Sequence, residues 1–175
     1  MSPRKKTPAG GGGLAAWVTL LQAQSVVVEA LEADLELPLA WFEVLIQLTS
    51  APEGRLPMQE LAHSVLLSKS GVTRLVDRMA AAGLVNRVAC ESDRRVIYAM
   101  VTPEGRASLR KALPAHADSL DEHFTNVVTP AELAMLRSTL AKILDAAGFT
   151  PAPCPANLPT EAGPKSRGRA RAAAS

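Results

Sequence analysis

The chain has 175 residues, a net charge of +2 and 47% hydrophobic residues, of which so few are aromatic that a core must come from Leu, Val, Ala and Met, a palette suited to helices. Two cysteines, Cys90 and Cys154, exclude a disulfide framework. Residues 1–13 are basic and then glycine-rich, unlike a secretory leader, and the apolar runs carry charges nearby, so no membrane span is expected and the chain reads as a soluble cytoplasmic protein.

In chain order, residues 1–13 read as a disordered arm. Residues 14–35 read as a helix, with Leu14, Trp17, Val18, Leu21, Ser25, Val28 and Leu31 at three and four spacing. Pro38 restarts the chain, and 39–48 form a second, apolar helix with Trp41 and Phe42. A turn over 50–54 leads to Arg55–Pro57, too short for more than a stub of strand. Residues 58–65 predict a short helix, Leu66 and Leu67 a tight link, and 69–82 a longer helix. Ser68 caps that helix, Val72, Leu75, Val76 and Met79 face inward, and Gly83 ends it. Two helices so closely linked make a helix-turn-helix.

Residues 84–90 and 96–101 are β-prone around a short charged connector, which predicts a hairpin in the position of a wing. Thr102, Pro103 and Glu104 open another helix, with a kink expected at Pro114. Thr129-Pro-Ala-Glu132 is a capping box for a last helix that Gly148 closes. From Pro151 the composition predicts a basic disordered tail. The fold class is thus mainly α, with a small β-hairpin wing on a helix-turn-helix.

The small net charge hides a strong segregation. Residues 7–54 hold six acids and no Lys or Arg, whereas 55–111 hold ten basic residues against five acids. Residues 112–150 return to net negative, and the tail carries Lys165, Arg167, Arg169 and Arg171 against Glu161. A positive segment confined to the helix-turn-helix and wing is the electrostatic footprint of a nucleic-acid surface.

A recognition helix reads the major groove from its N-terminal outward residues. Here those are Lys69, Ser70, Thr73 and Arg74, then Asp77 and Arg78. Arg74 suits a bidentate contact to guanine, and Ser70 and Thr73 suit base edges or phosphates. Ser68 and Lys69 stand at the positive helix end, and Arg78 suits the backbone. Asp77 is expected to orient Arg74 or a wing arginine. At the hairpin tip, Asp93 is expected to hold an arginine, Arg94 or Arg95, toward a narrow minor groove.

Leu61-Ala62, Ser68-Lys-Ser-Gly-Val-Thr-Arg-Leu-Val-Asp-Arg-Met79, Ala82-Gly-Leu-Val-Asn-Arg87, Ser92-Asp-Arg-Arg-Val96 and Val101-Thr-Pro-Glu-Gly-Arg106 together resemble the MarR family of bacterial regulators over residues 14–148. The resemblance implies a homodimer held by its first and last helices (14–50 and 102–150) around winged lobes (55–101) that read a pseudo-palindromic duplex. It also implies that Asp93 and Arg95 are the wing pair, with Arg95 in the minor groove. The expected function is a ligand-responsive repressor, located in the bacterial cytoplasm at the nucleoid. The alternative is a nonspecific architectural DNA-binding protein.

No cofactor is required by this reading. A small aromatic or phenolic effector is expected between the dimer helices and the lobe, beside Trp17, Trp41 and His63. His116 and His123, near Asp118, Asp121 and Glu122, lack the spacing of a metal site. No cysteine lies near the first helix, where hydroperoxide-sensing relatives keep theirs. No Ser/His/Asp set or phosphate loop suggests an enzyme.

Overall fold

A computed structural model describes residues 12–90, 93 and 95–149. Six helices and a small sheet run in the order α1 (Gly12–Asp34), α2 (Leu39–Ser50), β1 (Arg55–Pro57), α3 (Met58–Ser64), α4 (Lys69–Ala81), β2 (Val85–Ala89), β3 (Ile97–Val101), α5 (Pro103–His123) and α6 (Pro130–Ala146). The arm read over 1–13 overlaps the start of α1, which includes Gly12 and Gly13; the rest of that arm and the tail after Pro151 lie outside the described residues.

The core lies where α2, α3, α4, the sheet and the first turns of α5 converge. Phe42, Val44, Leu45 and Leu48 of α2 are fully buried against Leu61 of α3, Val72, Val76 and Met79 of α4, and Val85 of β2. The expected stub at Arg55–Pro57 is a fully paired strand. It lies antiparallel to β3, with Leu56 opposite Ala99, giving the sheet order β1-β3-β2. Three residues become a strand because β3 supplies the ladder from over forty positions away, a partner invisible to local pattern.

The helix-turn-helix link has an unusual residue in it. The Leu67 amide donates to the Ala62 carbonyl at 3.0 Å and the Leu66 amide to His63 at 3.3 Å, a Schellman closure of α3. Its left-handed residue is Leu66, at φ 54°, and its side chain is 74% exposed. A β-carbon is disfavoured there, and the exposed side chain contributes little packing. Leu66→Gly is therefore expected to raise stability by about 0.5–1 kcal/mol, read as a higher urea midpoint at fixed protein concentration. A lower midpoint would mean the leucine side chain matters more than its backbone.

α5 runs as one continuous helix through Pro114. Two turns before its end, His116 lays its ring on Phe42, centroids 4.2 Å apart, and its Nδ1 is buried without a hydrogen-bond partner among the described residues. Burial pulls its pKa below the ordinary histidine value. A depressed folded pKa means the unfolded chain takes up the proton first. Stability is then full above the unfolded pKa of about 6.5 and falls as pH drops below it. Urea midpoints compared across that range should show a steeper acid-side loss in the unaltered chain than in His116→Leu.

One premise of the sequence reading, that charges accompany each apolar run, holds only in part for α1. By length and composition it is a helix apolar enough to cross a membrane. The nearby charges that argue otherwise, Glu29, Glu32 and Asp34, are confined to its last two turns. In the fold that apolar surface borders other helices. Leu20, Ala23 and Val27 share a groove of about 640 Å³ with Leu120 and Phe124 at the end of α5 and with Leu136 and Leu140 of α6. Leu14, Trp17, Val18 and Leu21 stand exposed on another side of α1, and no residue of α6 is buried.

Candidate nucleic-acid interface

α4 is amphipathic by construction. Val72, Leu75, Val76 and Met79 anchor it in the core, which turns Lys69, Ser70, Arg74, Asp77 and Arg78 to solvent along one face. Its start is fixed by Ser68, whose hydroxyl accepts from the Gly71 amide at 3.1 Å and lies 3.2 Å from the Ser70 hydroxyl. Its end is fixed at Gly83, φ 76°, with the Leu84 amide donating to Met79 and the Gly83 amide to Ala80, each at 3.0 Å. The reading face is thus held between two strong stops. Thr73 is half-buried and donates its hydroxyl proton to the Lys69 carbonyl at 2.8 Å, so it offers outward only its methyl group and oxygen lone pairs.

The wing is β2 and β3, paired from Val85–Val101 to Ala89–Ile97. Its tip is closed by Cys90 donating to Val96 and Val96 donating to Asp93, both at 2.9 Å between backbone groups. The Asp93 carboxylate accepts the backbone amide of Arg95 at 3.0 Å. Asp93 therefore shapes the turn that presents Arg95 through the main chain. Arg95 is exposed, and Arg94 lies outside the described residues.

Asp77 meets a wing arginine, but one in the strand: Arg87 Nη1 lies 2.5 Å from Asp77 Oδ1. Both side chains are well exposed, so the pair adds little stability. Its consequence is geometric, since it ties β2 to the outer face of α4. Sequence reasoning assigns Arg87 no role. The signal is present all the same, in an arginine of the β-prone stretch inside the positive segment.

These elements enclose a groove of about 690 Å³ in which Lys69 and Thr73 of α4 face Arg87, Arg95 and Tyr98 of the wing, with Pro57, Met58 and Gln59 at its edge. Arg74, Asp77 and Arg78 line the other flank of α4, beside Leu67 and Ala40. Five cations, Lys69, Arg74, Arg78, Arg87 and Arg95, thus project from two adjoining elements.

The wing and α4 are locked to the next helix by Thr102. Its hydroxyl donates toward the Gly83 carbonyl at 2.7 Å, with the Leu84 carbonyl at 3.0 Å, and accepts from the Gly105 amide at 3.0 Å. One side chain thereby joins the end of α4 to the start of α5.

The residues expected beside an effector stand on three helices. Trp17 is exposed on α1, Trp41 of α2 packs against the core, and His63 of α3 places its ring 4.7 Å from that of Phe149. His123 Nε2 lies 3.9 Å from Asp34 Oδ2, and the described residues contain no group of three or more His, Cys, Asp or Glu able to hold a metal ion.

Helix-turn-helix, a three-stranded sheet carrying the wing, and flanking helices define the winged helix-turn-helix class. The profile of the MarR family matches residues 35–96. AbsC, a MarR family transcriptional regulator from Streptomyces coelicolor, is 32% identical, with a TM-score of 0.73 over 83% of this chain and 99% of that one. Sco3205 of the same organism, a MarR family regulator solved in complex with DNA, is 26% identical, with a TM-score of 0.75 over 87% of this chain and 98% of its own. Among curated relatives, the HTH-type transcriptional regulator MhqR of Bacillus subtilis is 31% identical over 91 residues, 52% of this chain; the match spans 62% of that regulator's length. The chain belongs to the MarR family, a family of transcription regulators and not of enzymes.

Proposed function

We propose that this protein is a sequence-specific, ligand-responsive repressor that binds a pseudo-palindromic operator as a homodimer. The observation that carries the reading is the pairing of two surfaces. Lys69 and Thr73 near the capped start of α4 adjoin Arg95 of the wing across one groove, and Ser70 and Arg74 stand exposed on the same helix, Arg74 on its other flank. An α-helix of this width fits a major groove, and an arginine on a hairpin tip fits the adjacent minor groove. Arg74 is assigned to a guanine, Ser70 to a base edge or phosphate, and Thr73 to a thymine methyl. Ser68, Lys69, Arg78 and Arg94 are assigned to phosphates, and Asp93 to shaping the tip. Sco3205, solved in complex with DNA, supports the DNA-binding part of this reading.

The dimer rests on surface that a single chain leaves uncovered. α6 buries none of its residues, and α1 exposes Leu14 at 72% and Trp17 at 56% beside the apolar groove it shares with α5 and α6. A second copy covers such a surface. The two recognition helices then address half-sites about 34 Å apart. A small aromatic or phenolic effector would act by changing the separation of the lobes. Trp17, Trp41 and His63 are the residues proposed to meet it, with His63 parting from Phe149. The protein is placed in the bacterial cytoplasm, at the nucleoid.

The test is a footprint on DNA flanking its own coding region, and then binding to that site and to a scrambled copy at one salt concentration. A specific regulator should prefer its site by at least about 10³-fold. Equal affinity for the two would instead make it a nonspecific architectural protein. A monomer at the binding concentration would overturn the dimer.

A further inference from the structure

We propose that Asp77 is a specificity-determining residue: by holding Arg87 it withholds a cation from DNA of arbitrary sequence, and so widens the preference for the specific site. The proposal rests on the DNA-binding reading above.

The fold aims Arg87 at α4. In β2, Arg87 stands opposite Ala99 and two positions after Val85, and both of those residues are fully buried. Alternation along the strand puts Arg87 on the same inward face of the sheet. Where the core ends, that face meets α4. On α4, Lys69, Thr73 and Asp77 follow at a spacing of four, which sets them in one row. Lys69, Thr73 and Arg87 line the groove beside the wing, and Arg87 Nη1 reaches to 2.5 Å from Asp77 Oδ1. Asp77 also borders the other flank of the helix, with Arg74 and Arg78. One carboxylate thus stands between two sets of cations. Among the described residues, Arg87 is the one of the five cations that an ion pair holds.

Helix stability does not account for an aspartate here. Aspartate is a weak helix former, and this one lies toward the negative end of α4. The exposed pair returns little. A carboxylate on this face also repels phosphates. What the pair does control is the reach of Arg87. On DNA of arbitrary sequence, attraction to phosphates supplies essentially all of the affinity, so a cation tied back subtracts directly from it. At a specific site, base contacts also seat the recognition helix in its groove. A guanidinium carries five N–H donors, and the bond to Asp77 occupies one. A seated lobe can therefore bring a phosphate to Arg87 with Asp77 still in place. The tie costs arbitrary DNA more than it costs the specific site.

The test measures the full chain, D77N, D77N/R87Q and E60Q against the footprinted site and its scrambled copy, across a series of salt concentrations. Glu60 stands at the edge of the same groove, so E60Q removes a negative charge there without releasing Arg87. D77N should bind the scrambled duplex several-fold more tightly, with a slope of log K against log salt steeper by about 0.9 for each arginine released. It should gain less on the specific site, so that its preference falls several-fold. D77N/R87Q should lose the gain, and E60Q should gain less than D77N. A misfolded chain does not bind more tightly, so structural damage cannot imitate this result. The proposal is overturned if D77N binds scrambled DNA no more tightly than the unaltered chain, or gains equally on both duplexes. It is overturned equally if the gain survives in D77N/R87Q, or if E60Q matches D77N, which would make the effect one of general charge. An unaltered chain that binds neither duplex, or binds both alike, would instead overturn the reading of a specific DNA-binding protein, and the proposal with it.

Discussion

Gly105→Ala is expected to destabilise the protein by about 1–3 kcal/mol or more, although helix propensity alone predicts a gain of about 1 kcal/mol. Gly105 lies in the first turn of α5 and is buried. A β-carbon there would stand 2.2 Å from the Leu84 backbone carbonyl, 3.0 Å from Val101 Cγ2 and 3.1 Å from Leu45 Cδ2. The backbone carbonyl is the obstacle, because it cannot swing aside. It accepts the Thr102 amide at 3.1 Å and lies 3.0 Å from the Thr102 hydroxyl. Moving α5 outward to make room would part Thr102 from Gly83 and Leu84, leaving buried polar groups unpaired at a further cost.

The measurement is urea unfolding of the full chain at fixed protein concentration, since dimerisation feeds into apparent stability. A lower midpoint with an unchanged slope is the expected result. A raised midpoint would mean that α5 does not approach Leu84 this closely. The spacing Thr102-Pro-Glu-Gly105 gains a physical reason from the same contacts. The threonine must reach two carbonyls, and the residue three positions later must carry no side chain.

Arg95→Ala should weaken binding to the specific site by about 1–3 kcal/mol per half-site, roughly 5- to 150-fold, and leave the oligomeric state unchanged. The turn that presents Arg95 is built from backbone bonds, with Asp93 accepting the Arg95 amide, so truncating the side chain beyond its β-carbon leaves the tip intact. Arg74→Ala should cost a comparable amount and relax the preference at its base pair, because Arg74 is exposed on α4 near its capped start. Arg78→Ala should weaken specific and scrambled DNA alike and make the salt slope shallower by about 0.9. All are measured at one ionic strength on the footprinted site, apart from the salt slope, which takes a series. Unchanged specific affinity in Arg95→Ala would remove the wing from the interface.

The parts of this protein legible in the sequence are those set by neighbours in the chain. Val72, Leu75, Val76 and Met79 repeat at helical spacing, and those residues are the buried face of α4. Ser68, Thr102 and Thr129 are recognisable as caps because a hydroxyl reaches an amide three residues ahead, and each does so. The cations of α4 and the wing group together by charge alone. Local pattern misleads where the partner is remote. β1 is too short to stand as a strand by itself, yet it is held by β3. Asp77 could meet Arg74 or a wing arginine, and the fold selects Arg87 from ten positions away. The charges that argue against a membrane-spanning α1 sit only at its end.

What the amino-acid order determines by itself is a capped, amphipathic recognition helix and then a hairpin in a positive segment, because caps, periodicity and charge act over a few residues. What only the tertiary structure decided is how those pieces are held to one another. Asp77 ties Arg87 to α4, Thr102 joins α4 to α5, and Phe149 brings the end of α6 to His63. Each depends on a backbone carbonyl, a carboxylate or a ring carried to its partner by the packing of the core, and no local pattern encodes where that packing delivers it.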